Sequence, residues 1–499
     1  MNPRREARSA VPQKRAKLAG RWRVDGQWWL GVLVAVQLVR LAVAASIEIV
    51  PQEAYYVFYA RHPALSYFDH PGMLAWLLWL PARLLPPPPV LLRLVPFVLA
   101  AVTLAGVYRL ARRFVPDGPG TAVLLLGLTG MLSVLSVVAL PDAPLVAAWT
   151  WALCFLAEAL LEGRSGAWLS AGVAAGLAFD SKYTGALLFF GAGLLLLGTA
   201  RGRLALRTPW PWLGLLLGVA VTLPVWWWNA HSGWASFAFQ TEGRVQQARG
   251  LSPWNILGLL GSQLVLVLPP LLWGWGLAVV DAGRALVRRS LADDEAFLAT
   301  FSVMPAALFL VVSLFAVVKP AWPFPLWIAG VVWAARRGGK WLLPWTVGSS
   351  AVVHALALAL LFLYPVQLGD DTWVGWRSLR EQVRARLRPG EFAFSADDYK
   401  TTAELLLDGR VEAYGRNLLG EPALQFDWVG LDVRSLAGRG GLFLDSDSQR
   451  FDDSPSGAPP RALLPRCTRL KEEPPLLIRR EGRILRRFRA WRCLGYRPP

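Results

Sequence analysis

Long apolar runs alternate with short polar connections along the first three quarters of this chain. The runs fall at 27–45, 92–108, 121–140, 143–161, 167–179, 186–200, 210–228, 253–280, 297–318, 322–335 and 341–364. Most approach the ~20 residues an α-helix needs to cross ~30 Å of hydrocarbon. The pattern therefore predicts eleven membrane helices, with those at 167–179 and 322–335 the shortest. Ala42-Val43-Ala44 also resembles a signal-peptide cleavage site, but the run before it is long and ten more follow, which favours a span. The apolar segment 72–85 is too short to cross and carries Arg83; it reads as a helix lying at the membrane surface, part of an interfacial region at about 51–85.

From 366 onward the chain is polar and turn-rich. Two strand-like stretches, 476–480 and 483–491, are joined by Glu481-Gly482, a hairpin signal. The expected fold class is an all-α polytopic membrane protein with a small C-terminal α/β domain. Its parts are a basic arm at 1–26, a membrane domain at 27–365 and a domain at 366–499.

Charge placement orients the spans. The arm holds eight Lys and Arg, and alternate connections hold Arg109, Arg112 and Arg113, then Arg164, then Arg201, Arg203 and Arg207, then Arg284, Arg288 and Arg289, then Arg336, Arg337 and Lys340. The opposite connections hold only Arg61, Arg83, Arg93, Lys182, Arg244, Arg249 and Lys319. By the positive-inside rule the N-terminus is cytoplasmic and the C-terminal domain lies outside. The arm could bind nucleic acid, but its position before an apolar run fits anionic lipid better, so no nucleic-acid partner is expected. Composition agrees: 55% of residues are hydrophobic and 17% charged, which excludes a soluble enzyme, and three cysteines exclude a disulfide scaffold. Cys467 and Cys493 flank the hairpin, and an oxidising compartment makes them a disulfide candidate against the alternative of two unpaired thiols.

Ionisable groups gather on the outer connections. These carry Glu48, Gln52-Glu53-Ala54-Tyr55-Tyr56, Arg61 and Tyr67-Phe68-Asp69-His70-Pro71; then Pro141-Asp142-Ala143-Pro144; then Asp180-Ser181-Lys182-Tyr183-Thr184; then Trp226-Trp227-Trp228-Asn229 through Arg244; then Lys319-Pro320-Ala321-Trp322-Pro323. Carboxylates beside cations at headgroup level suit an amphiphilic phosphate substrate. Each residue also has a plainer reading. Asp142 before Ala-Pro can cap a helix, Glu53 can favour a helix dipole, Asp69 and His70 can pair in a solvated turn, and Lys182 can snorkel. The Trp run can be an interfacial belt. None of these explains why the polar groups collect on one side.

In this order the motifs resemble the membrane glycosyltransferases of the GT-C fold, in particular the bacterial branch related to protein O-mannosyltransferases and the aminoarabinose lipid A transferase. Trp228-Asn229, Gly233-Trp234-Ala235-Ser236-Phe237, Phe239-Gln240 and Lys319 with Trp322-Pro323 extend the likeness, which covers about 27–330. It continues more loosely through Gly375-Trp376, 396–405 and Gln425-Phe426-Asp427. The resemblance implies inverting transfer of a sugar from a polyprenyl-phosphate-linked donor to a lipid, glycan or protein acceptor, at the outer face of a bacterial inner membrane. It implies an acid of the first outer loop as base. Here the chain departs from the family, with Gln52-Glu53 where Asp-Glu is usual and Pro71-Gly72 where Pro-Pro is common. Gln accepts no proton, so another acid must serve or activity is lost.

The expected catalytic residues are Glu53 first, with Asp69 and Asp142 as alternatives. The expected donor-phosphate ligands are His70, Lys182 and Arg244, then Arg61 and Lys319; Tyr55, Tyr59 and Trp228 line a sugar or lipid groove. No cofactor is required: a divalent metal among the acids is compatible, yet no ligand spacing demands one. Two rival classes stand beside this reading. A noncatalytic polyprenyl-lipid-binding relative is suggested by Gln52. A transporter would need midplane charges on broken helices and repeat symmetry, neither of which the sequence displays.

Overall fold

The computed structural model describes residues 28–116, 118–243, 250–363, 373–430 and 432–499. The basic arm, Arg244, Arg249 and the junction at 365–366 lie outside the described residues. Each apolar run is mostly helical where described: α1 (Trp28–Ser46), α4 (Pro89–Phe114), α5 (Pro119–Gly127), α6 (Gly130–Val137), α7 (Asp142–Leu161), α8 (Ala167–Ser181), α9 (Ala186–Gly198), α11 (Trp210–Val221), α12 (Leu223–His231), α14 (Pro253–Leu266), α15 (Pro269–Val287), α16 (Asp293–Ser313), α17 (Leu326–Arg337) and α18 (Leu342–Phe362). Short helices α10 (Ala200–Ala205) and α13 (Ala235–Ala238) complete the series. The first outer connection folds into α2 (Pro51–Arg61) and α3 (Met73–Ala82), the latter too short to span.

Several of the apolar runs are broken within their length. Among the described residues five helices are long and apolar enough to cross a membrane, and three runs are bent pairs: α5 with α6 by 69°, α11 with α12 by 46°, α14 with α15 by 112°. The breaks sit at prolines or at Leu128-Thr129, where Thr129 caps α6 by accepting the Leu132 N–H. α8, α9 and α17 stay short; α17 is nonetheless buried along almost its whole length, at the centre of the bundle. α7 is likewise central, whereas α1 and α18 are peripheral and expose Leu38, Leu356 and Val352.

At one end of the bundle, cations of the arginine-rich connections join acids in bridges: Arg109 with Glu158, Arg113 with Glu162 and Asp294, Arg336 with Asp294, Arg201 with Asp293, Arg337 with Asp281. The opposite end carries α2, α3 and the C-terminal domain. That domain comprises α19 (Trp376–Arg386), β1 (Phe392–Ser395), α20 (Lys400–Leu406), β2 (Ala413–Tyr414), β3 (Gly441–Asp447), β4 (Cys467–Arg480) and β5 (Arg483–Tyr496). Strand order is β2-β1-β3-β5-β4, with β2, β1 and β3 parallel and the β3–β5–β4 part antiparallel. Glu481 and Gly482 both take positive φ, as a tight two-residue hairpin turn requires. Cys467 and Cys493 form a disulfide between β4 and β5.

α2 and the C-terminal domain share one core. Ala54, Tyr55, Tyr59 and Leu78 pack with Ala403, Leu407, Ala423 and Phe426. The domain is therefore seated on the helix that holds Glu53, Tyr55, Tyr59 and Arg61.

Candidate active site

Glu53 and Asp69 are the two acids of the first outer connection, and the fold gives them opposite environments. Glu53, at the third position of α2, is fully buried. Its Oε2 accepts from Arg93 Nη2 at 2.6 Å and from the Val50 N–H at 3.1 Å; its Oε1 accepts from Arg93 Nε at 3.0 Å and from the Ala139 N–H at 3.1 Å. Arg93 also donates to the carbonyls of Ala44, Ile47 and Glu48. This ion pair fastens the end of α1, the start of α2, the start of α4 and the link before α7. Such a carboxylate is committed to four donors and unreachable, which removes Glu53 from the candidate bases.

Asp69 lies in the loop between α2 and α3. Its Oδ1 accepts hydrogen bonds from the hydroxyls of Tyr59 and, at 3.2 Å, Tyr55, one turn apart on α2. Its backbone carbonyl accepts from Gln240 Nε2 at 2.7 Å. Burial pushes the Asp69 carboxyl above its ordinary value, opposed by the two tyrosine hydroxyls and by the positive charge of Lys319. Tyr55 and Tyr59 are almost wholly buried, so they hold Asp69 rather than line a groove as expected. Burial raises both phenols well above their ordinary value, with the Asp69 charge the second cause, so both hydroxyls stay protonated donors.

Asp142 and Lys182 meet directly, Nζ to Oδ1 at 2.7 Å, with both side chains at least nine-tenths buried. Pro141 occupies the cap position and Asp142 starts α7 without a capping bond, so the plain N-cap reading fails. Lys182 follows the last turn of α8, and its ammonium sits 5.9 Å from the Trp322 ring centroid. One contact to Asp142 leaves it two further N–H donors. Tyr56, between the two acids, feels Asp69 more strongly than Asp142, and its ring meets that of His70. Asp69, Asp142 and His70 thus all bear on Tyr56 of α2, with Lys182 paired to Asp142 and the Lys319 charge felt at Asp69.

The remaining expectations divide. Arg61 leaves the phosphate-binding set: its guanidinium donates to the carbonyls of Ala82, Leu84, Leu406 and Leu407 and ties α3 to α20. Trp228 turns toward Trp428 of the C-terminal domain at 5.6 Å, while Trp226 and Trp227 face outward as a belt would. Trp428 stacks on Phe68, which meets Phe239, so three segments build an aromatic rim above Asp69. Arg244 lies outside the described residues. Among the described residues no group of three His, Cys, Asp or Glu is arranged to hold a metal ion.

Three contributors are not marked as site residues by the sequence. Gln425 donates its N–H to the Tyr55 hydroxyl at 3.0 Å and accepts the Phe68 N–H at 2.7 Å. Tyr399 stacks near Tyr55 at 4.8 Å, feels the Asp69 charge and bonds the side chain of Gln52. Both lie in the C-terminal stretches where the family resemblance is loosest. Arg93 reads from the sequence only as one more outer cation; a lone Arg at the start of an apolar run is its signal.

Residues 69–228 match the model of the dolichyl-phosphate-mannose-protein mannosyltransferase family. No curated protein sequence matches the chain. Among solved structures, ArnT from Cupriavidus metallidurans bound to undecaprenyl phosphate superposes with a TM-score of 0.59 at 16% identity, covering 93% of this chain and 98% of that one. The same enzyme in the apo state gives 0.58 at 15% identity over the same shares. The chain therefore has the GT-C fold in its ArnT-like form, is a multi-pass membrane protein by its apolar helices, and is related through residues 69–228 to the protein mannosyltransferase family.

Proposed function

We propose that this protein is an inverting glycosyltransferase that moves a sugar from a polyprenyl-phosphate carrier to an acceptor hydroxyl or phosphate. It works at the outer face of a bacterial inner membrane, with the N-terminus in the cytoplasm. The observation that carries the reading is Asp69: a nearly buried carboxylate held by two tyrosine hydroxyls, beside the Asp142–Lys182 pair and within the field of Lys319.

In this mechanism Asp69 takes the acceptor's proton through Oδ2 while the acceptor oxygen attacks the anomeric carbon. The bond from that carbon to the phosphate oxygen breaks, and the polyprenyl phosphate leaves with the electron pair. General-base help of this kind is worth ~10²–10⁴-fold. Lys182, with His70 and Lys319, stabilises the charge growing on the phosphate, and such electrostatic stabilisation commonly contributes more than any other effect to catalysis. Asp142 orients Lys182. The ArnT structure with undecaprenyl phosphate supports a polyprenyl phosphate as carrier on the shared fold. The test is turnover of a labelled undecaprenyl-phosphate sugar by the purified chain, with loss of turnover in Lys182→Met and Asp69→Asn.

A noncatalytic lipid-binding role is the second reading, favoured by Gln52. Asp69 answers it, because a carboxylate with hydroxyl partners is present one loop away. The helix breaks are of a kind that transporters also have, but the cation beside one of them, Arg40, is held by the Gly127 carbonyl, the Ser133 hydroxyl and Gln37 as a structural clamp.

A further inference from the structure

A hollow of about 410 Å³ is walled in part by Phe426, whose ring packs against Tyr55, a hydrogen-bond donor to Asp69. It opens between the last turn of α2 and the C-terminal domain, and its walls include Phe58, His62, Tyr414, Asn417 and Phe426. Ligand pockets commonly occupy ~300–1,000 Å³, with a mostly apolar lining and a few convergent polar groups. Two such groups are present. The Asn417 Oδ1 atom is buried and accepts no hydrogen bond among the described residues, an orphan that calls for a donor. His62 engages the Phe58 carbonyl through Nδ1 at 2.8 Å, which leaves Nε2 for a ligand.

The lining also says what the ligand is not. Among the described residues no carboxylate lines the hollow, and the one guanidinium there, Arg61, donates to four backbone carbonyls. A cationic segment finds no carboxylate there, and a phosphorylated headgroup finds a guanidinium whose N–H donors are already turned to backbone carbonyls. Aromatic faces combined with an amide oxygen and an imidazole ring suit a sugar, whose C–H face packs on rings while its hydroxyls hydrogen-bond.

The hollow is also next to the chemistry. Phe426 lines it and packs against the Tyr55 ring at 5.7 Å, and the preceding residue, Gln425, bonds the Tyr55 hydroxyl and the Phe68 backbone. Phe426 thus joins a wall of the hollow to the tyrosine that donates to Asp69.

We infer that this hollow is a carbohydrate subsite for a neutral glycan acceptor. A sugar unit packs on Phe58 and Phe426, donates a hydroxyl to Asn417 Oδ1 and meets His62 Nε2. The inference rests on the glycosyltransferase reading above and assigns its acceptor class: a neutral glycan, in place of a phospholipid or a protein.

The test is saturation-transfer NMR on the full chain in detergent, with methyl α-mannopyranoside, maltose, cellobiose and chitobiose as probes at millimolar concentration. A threonine-rich peptide is the competing probe. At least one sugar should receive saturation, and the signal should be lost in Asn417→Leu and weakened in His62→Ala. His62 is exposed, so the second variant keeps its fold. In Asp69→Asn the sugar signal should persist. The inference is overturned if no sugar receives saturation, if the signal survives both substitutions, or if only the peptide is saturated. Turnover of the polyprenyl-phosphate sugar is followed on the same samples: turnover without sugar binding sinks this inference alone, whereas sugar binding without turnover leaves a carbohydrate site and sinks the enzymatic reading together with the acceptor role.

Discussion

Two carboxylates 16 positions apart show how environment assigns roles. Glu53 is the sequence's first candidate for the base because it stands nearest the family's acidic position, but Arg93 and two backbone N–H groups consume it. Glu53→Gln leaves Arg93 buried with a neutral partner, and breaking such a pair costs ~3–5 kcal/mol. The expected outcome is a large loss of thermal stability or of folded yield, checked by a melting assay in detergent, and not a folded enzyme with a missing base. Asp69→Asn behaves in the reverse way. Because burial raises the Asp69 carboxyl in the folded state, its contribution to stability is complete below its unfolded value, near pH ~3.9, and is lost as pH rises through the folded value. Removing the charge should therefore raise the melting temperature at pH 7 and leave it unchanged at pH 3, while transfer falls at least ~10²-fold. By the same shift, the acid limb of the wild-type rate profile lies above the ordinary aspartate range. Gln52 stands beside Tyr399, which feels Asp69. Gln52→Asp brings a like charge into that neighbourhood and should move the acid limb to still higher pH. An unmoved limb would separate Gln52 from the base.

Elements were legible wherever one periodicity governed the whole length. Each apolar run became helix, and the 72–85 segment became the ten-residue α3. The breaks were not legible, because hydropathy stays high across Leu128-Thr129 and the backbone turn is decided by what packs around it. Arg40 bridges the α5–α6 break: Nη2 meets the Gly127 carbonyl at 2.5 Å and the Ser133 hydroxyl at 2.8 Å, and Ser133 in turn meets His354 of α18. Arg40→Leu exposes that carbonyl to an apolar surround and should cost ~1–3 kcal/mol of stability, read as a lower melting temperature, with Arg40→Lys recovering part of it. α8 and α11 approach through Gly172 and Gly176 against Gly214 and Gly218, so closely that a Cβ on Gly172 overlaps the Gly214 carbonyl. Gly172→Val should force the helices apart and shift Lys182, which ends α8. The check is reduced transfer together with a reduced melting temperature.

At the scale of the whole molecule, the sequence marked the division into a helical membrane domain and a polar C-terminal domain but not how the two meet. The contact depends on Gln425, Tyr399 and Phe426, residues with no charge pattern or motif spacing of their own, whose meaning appears only when α2 supplies Tyr55 beneath them. The hairpin that carries the Cys467–Cys493 bridge was easier to read, from Glu481-Gly482 and the flanking alternation. Opening that bridge, which closes a span of 26 residues, should lower the stability of the C-terminal domain by ~3 kcal/mol on loop-entropy grounds, seen as an earlier unfolding step under reductant. Because the domain seats Gln425 on Tyr55, transfer should fall in the same temperature range. The central claim is tested most directly by release of radiolabelled sugar from a set of undecaprenyl-phosphate glycosides, comparing the wild-type chain with Asp69→Asn. The account expects release by the wild type and at least ~10²-fold slower release by the variant, with undecaprenyl phosphate still bound; release at the wild-type rate by Asp69→Asn would contradict it.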